Sequence, residues 1–136
     1  MLLTKEQVRT SKDRKIIKVR TPEWAPESGL SAAEIRDCHV FVRSMDGKER
    51  DSFENWWLEN KKAQGGLFRA NFCARCICDE SGKLMFDATD VSWLATKSSK
   101  CLSRIYSAGA ALSGISAEDE KELEKNSEAE DGFPSS

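Results

Sequence analysis

The spacing Cys73-x-x-Cys76-x-Cys78 is the arrangement in this sequence with the most obvious capacity for chemistry. Thiols this close can bind a soft metal or cycle between dithiol and disulfide. A tetrahedral zinc site needs four ligands, and Cys38, His39 or Cys101 would have to supply the fourth. Structural zinc sites usually show two close ligand pairs separated by a loop, and that pattern is missing. Cys73 and Cys76 instead lie in an apolar run of helical character, where a reduced cysteine behaves as a small hydrophobe. A redox Cys-x-x-Cys normally opens a helix after a strand in a βαβ setting, and none is visible. His39 is the only histidine. It follows Cys38 at the start of a strand, where neighbouring side chains point to opposite faces, so the two are poorly placed to act as a nucleophile and its base. There is no phosphate-cradling glycine loop and no serine elbow. Glu49, Asp51 and Glu54 suit the solvated side of an amphipathic helix. The chain therefore reads as non-enzymatic, with no catalytic residue, no metal site and no cofactor.

The tryptophans carry more information. There are four, and Trp56 and Trp57 are adjacent. Adjacent helical side chains diverge by about 100°, so both are hard to bury in a small core. One reading places them on a protein contact surface, where tryptophan is a common anchor. The other packs them under a neighbouring element, since large aromatics serve both ends. Trp24, Trp56 and Trp57 are the candidate partner-binding residues.

The elements that must position these groups follow from local patterns. Thr4 and Gln7 form a capping box for a short helix over about residues 5–11. Ile17 and Val19 alternate with Lys18 and Arg20, the period of a half-buried strand, and Pro22 ends it. Residues 25–38 carry Pro26, Ser28, Gly29 and Ser31, the marks of a loop, with room for one helical turn at 32–36. His39 to Arg43 predicts a second strand, antiparallel to the first. Asp46 at the N-cap and Glu49 at N3 start a helix whose Phe53, Trp56 and Trp57 share one face. Leu67 to Cys78 is apolar almost all round and predicts the central buried helix. A turn spans 79–83. Asp87 caps a short helix containing Val91, Trp93 and Leu94. A longer helix over about 98–113 has Leu102, Ile105, Tyr106, Gly109 and Leu112 on one stripe, with Gly114 as its C′ residue. Ser116 caps a polar helix over about 117–125, and 127–136 reads as an acidic, disordered tail. The expected fold is α+β and mainly helical: an N-terminal antiparallel β-hairpin followed by a compact bundle of four to five helices. Residues 1–126 form one domain.

Composition agrees with this picture. The chain has 136 residues, enough for one self-sufficient core, and 32% of them are charged. Net charge is -2, and the last twenty residues hold eight acidic and two basic side chains. No basic stripe suits nucleic acid. No run is long and apolar enough for a bilayer, and the first residues turn polar too early for a secretory signal, so the expected location is a cytoplasm.

Read as an ordered string, residues 3 to about 126 resemble the tail assembly chaperones of long-tailed phages and prophages. Leu3-Thr4-Lys5-Glu6-Gln7-Val8 is similar to that family's capped first helix. Val19-Arg20-Thr21-Pro22-Glu23-Trp24 resembles its strand ending in Pro-Glu-Trp. Val40 to Arg43 and Glu49-Arg50-Asp51-Ser52-Phe53-Glu54 resemble the returning strand and the helix after it. Arg69 to Lys83, Phe86 to Leu94 and Lys97 to Gly114 follow in the family's order, and an acidic segment closes the string. The loop over 25–38 departs from it, being longer and more hydrophilic than the tight turn expected between these strands. The resemblance implies a protein of the host cytoplasm that binds the tape-measure protein, keeps its apolar helices soluble, helps recruit tail-tube subunits, and is absent from the finished virion. It also implies a homo-oligomer, while the composition argues against nucleic acid and membrane as partners. The competing readings are a tail-completion or head–tail component retained in the virion, and a small cysteine-metal protein.

Overall fold

A computed structural model describes residues 1–60 and 67–115. The expected helix over 117–125 and the acidic tail at 127–136 lie outside the described residues. The described chain is mixed α+β, with a three-stranded antiparallel sheet and six short α-helices. These are α1 (Lys5–Thr10), β1 (Ile16–Arg20), α2 (Ala32–Asp37), β2 (His39–Arg43), α3 (Gly47–Asn60), α4 (Phe68–Ala74), β3 (Ile77–Cys78), α5 (Val91–Leu94) and α6 (Ser99–Leu112). Two 3₁₀ turns, Pro22–Trp24 and Ala88–Asp90, lie between them. No helix among the described residues is long and apolar enough to cross a membrane.

Local chemistry sets most boundaries. Capping boxes open α1 (Thr4 with Gln7) and α2 (Ser31 with Glu34). Asp46 and Glu49 make the same reciprocal pair at α3, with Glu49 N–H donating to Asp46 at 2.7 Å and Asp46 N–H to Glu49 at 3.1 Å. Asp87 and Asp90 do so at the turn that runs into α5. Each such cap contributes about 1 kcal/mol. At the far end of α6, Gly114 takes φ +73°, and Gly114 and Ile115 donate back to Ala111 and Ala110. This Schellman ending supplies the C′ glycine expected from the sequence.

The antiparallel pairing of β1 with β2 is present, with Val19 opposite Val40 and Ile17 opposite Val42. These four side chains share one face because directly opposed residues point the same way. The connection between them is no tight turn: it holds the Pro22–Trp24 turn and α2. The expected hairpin is one part of a larger sheet, for the run from Leu67 to Cys78 does not stay helical. Helix α4 ends at Ala74, the Cys76 N–H turns back to Cys73, and Ile77 and Cys78 pair with Val42 and Phe41. The buried β-branched Ile77 is satisfied equally well in a strand, and there it completes the inner face of the sheet. Cys78 then bridges to Leu84 across a turn in which the Asp79 carboxylate accepts from the N–H groups of Ser81 and Lys83.

Helix α6 packs on β1 and β2, and α4 packs on α6, α5 and α3. Of these helices, α6 lies against the sheet and α4 joins it to α3 and α5. Phe53, Phe72, Ile77, Leu94, Ile105 and Val42 are fully buried in the core. Each contributes about 1.5–3 kcal/mol through the apolar area it removes from water. Gly109 sits at the closest approach of α6 to α4, facing Phe72 and Cys76.

Candidate functional site

Trp24 stands at the end of a short, well-determined segment. Pro22 presets the 3₁₀ turn, Thr21 donates its N–H to the Cys38 carbonyl at 2.7 Å, and Trp24 donates its own N–H to Thr21 at 2.9 Å. Arg104 on α6 grips Glu23 through both guanidinium nitrogens and so ties this turn to the helical layer. The Trp24 ring packs against the core, with its indole nitrogen buried and not hydrogen-bonded.

The outer side of Trp24 opens onto a groove. Two adjoining hollows of about 520 and 640 Å³ share Trp24 and Phe86 as walls. The first continues over Trp93 and Lys97 and the second over Leu30, Val40 and Met85. Phe86 meets Trp93 edge to face at 5.5 Å, the indole N–H of Trp93 donates to Asp90 at 3.0 Å, and the Lys97 ammonium lies over the Trp93 ring. Trp93 is 43% exposed and Met85 51% exposed, large apolar surface on a small fold. Glu23, Glu34 and Asp37 edge the groove, with Glu23 paired to Arg104 and Asp37 to Lys18. Asp37 is held below the usual carboxylate range by its hydrogen bond from Lys18. An apolar floor with a carboxylate edge suits an apolar side-chain row from another chain, in the manner of helix-in-groove recognition.

Trp56 and Trp57 sit elsewhere. Both are half-buried on α3, with Trp56 stacked on Phe53 at 6.2 Å and Trp57 edge-on to Phe68 at 4.8 Å. Phe53, Phe68, Phe72 and Tyr106 continue this aromatic cluster through the helical layer. Among the described residues no ring contact links it to Trp24. The structure thus separates the three candidate tryptophans, placing Trp24 in the groove and the other two at the edge of the core. Trp93, Phe86 and Met85 are groove residues that the sequence patterns did not single out. The available signal was the fourth tryptophan, which the helical pattern assigned to a short helix beside Val91 and Leu94.

The cysteines do not form a reactive centre. Cys73, Cys76, Cys78 and Cys101 are fully buried, and Cys73 donates its thiol proton to the Leu102 carbonyl. Burial pushes the Cys76 thiol up to about 12 and Cys101 to about 11, and it raises Cys73 and Cys78 as well. Thiols in this state are poor nucleophiles, because the thiolate is the reactive form. Cys38 caps α2, and the His39 Nδ1–H donates to the Asp37 carbonyl at 2.6 Å. Among the described residues no group of three or more His, Cys, Asp or Glu side chains is placed to hold a metal ion.

No protein-family model, curated protein or solved structure matches this chain.

Proposed function

We propose that this protein is a non-enzymatic phage tail assembly chaperone. It binds the tape-measure protein, keeps it soluble, helps recruit tail-tube subunits, and is absent from the finished virion. The observation that carries the reading is the open groove walled by Trp24, Phe86, Trp93 and Met85, a concave surface that presents large, partly exposed apolar side chains. A holdase needs such a surface, since it works by binding exposed apolar segments and thereby competing with aggregation. The ordered resemblance over residues 3 to about 126 supplies the identity of the client.

The test is co-expression with the neighbouring tape-measure protein, followed by a solubility assay and a pull-down. The expected result is a soluble tape-measure protein that co-purifies, with retention weakened by Trp93→Ala and Met85→Glu. A tape-measure protein that stays insoluble and unbound beside the folded chain overturns the reading. Finding the chain in purified particles would favour a virion component instead.

A further inference from the structure

We propose that the acidic segment 117–131 docks on the exposed segment 1–15 of the same chain and covers it. The inference does not rest on the chaperone reading.

The first observation is a surface without a cover. Every residue from 1 to 15 is exposed, and α1 buries none of its side chains. Leu2 is 96% and Val8 59% exposed, with Leu3 beside them. A helix of this length is far too short to be stable by itself, even with its capping box, so it gains from any partner that packs along it. The surface is also basic. Residues 1–15 contain Lys5, Arg9, Lys12, Arg14 and Lys15 against Glu6 and Asp13. Glu6 is already engaged by Arg9, and Arg14 by Asp46 and Glu49. The lysines supply the remaining positive charge, and exposed Lys48 at the start of α3 adds to it.

The second observation is where the chain leaves the described residues. Ile115 is buried, and two residues before it the Ser113 hydroxyl accepts the Met45 N–H at 2.9 Å. The neighbouring Ser44 exchanges hydrogen bonds with Lys15, its N–H to the Lys15 carbonyl at 2.9 Å and its hydroxyl accepting the Lys15 N–H at 3.1 Å. Arg14 reaches Asp46 at 2.9 Å. The chain therefore exits beside the root of segment 1–15. The residues that follow, 117–131, hold eight acidic and two basic side chains.

Opposite charges of this density attract within a Debye length of about 10 Å, and the contacts of Ser113 and Ser44 set the start of the acidic run on the side of the fold where Lys15 is anchored. At about 3.3 Å per extended residue, segment 117–131 has ample length to run along α1. Leu123 lies midway along it and can meet Leu3 or Val8.

The experiment is carbodiimide cross-linking of the full chain at low ionic strength, with peptide mapping of the monomer band. The expected products are amides joining Lys5, Lys12 or Lys15 to carboxylates within 118–131. Their yield should fall about tenfold or more at high salt, where the Debye length shrinks to about 3 Å. It should fall equally in the Lys5→Glu, Lys12→Glu double variant, whose exposed positions leave the fold intact by near-ultraviolet circular dichroism. Cross-links going mainly to Lys83, Lys97 or Lys100, cross-links only between molecules, a salt-independent yield, or no cross-links at all would each overturn the proposal.

Discussion

Arg104 holds Glu23 in a bidentate ion pair, Nη1 to Oε1 at 2.9 Å and Nη2 to Oε2 at 2.7 Å, while Nη1 also donates to the Arg20 carbonyl at 3.0 Å. One side chain thus clamps α6 to the end of β1 and to the turn that presents Trp24. The hydrogen bond from Arg104 is the main cause that lowers Glu23 to about 2 from its ordinary 4.5. A depressed carboxylate stabilises the fold fully above its ordinary value and loses that contribution as pH falls through its folded value. The stability gap between wild type and Arg104→Met should therefore be constant above about pH 4.5 and close between about pH 4.5 and pH 2. Urea unfolding across that range measures it. The gap will be modest, because the Arg104 side chain is 39% exposed. A gap that does not change with pH would show that the clamp acts by packing alone.

Gly109→Ala should destabilise the protein although it lies in a helix. A Cβ there would stand 3.0 Å from the Phe72 ring and 3.1 Å from the Cys76 sulfur. Alanine gains about 1 kcal/mol in helix propensity, but overpacking between two buried side chains costs about 1–3 kcal/mol. The expected balance is a lower Tm. A higher Tm would mean that α4 and α6 can move apart at little cost.

The four tryptophans should divide by stability. Trp56→Ala removes a half-buried ring stacked on Phe53 and should cost about 2 kcal/mol, below the range for a fully buried aromatic. Trp93→Ala removes a more exposed ring and should cost less than about 1 kcal/mol. Thermal unfolding of the two variants checks the order, and the reverse order would move the core boundary from α3 to the groove.

Thiol titration should find one accessible cysteine in the native state. Cys38 is the only one of the five that is not buried. Ellman's reagent should label it first and reach the other four only on unfolding, since burial both shields them and raises their pKa values in the native state. Rapid native labelling of Cys73 or Cys76 would contradict the packing of α4 against α6.

Much of this architecture was legible from short-range patterns. Thr4 with Gln7, Asp46 with Glu49, and Asp87 with Asp90 each announce a helix start, because a cap is satisfied by atoms three residues apart. The β1–β2 pairing and the stripe on α6 follow from periods of two and 3.6 residues. The fate of Ile77 and Cys78 was not legible, because an apolar run fits a buried helix or a buried strand equally well. Only Val42 and Phe41, more than thirty residues earlier, decide it by offering a free sheet edge.

The groove was hidden for the same reason. Its walls come from a turn after β1, from the segment after β3 and from α5, and no local period relates Trp24, Phe86 and Trp93. The sequence by itself determined the helix starts, the strand alternation, the apolar faces and the charge of each segment, since these depend on neighbours along the chain. The tertiary structure decided the third strand, the burial of the thiols, the parting of Trp24 from Trp56 and Trp57, and the groove. Those depend on which distant surfaces meet, and that is settled by packing all the apolar faces into one core at once.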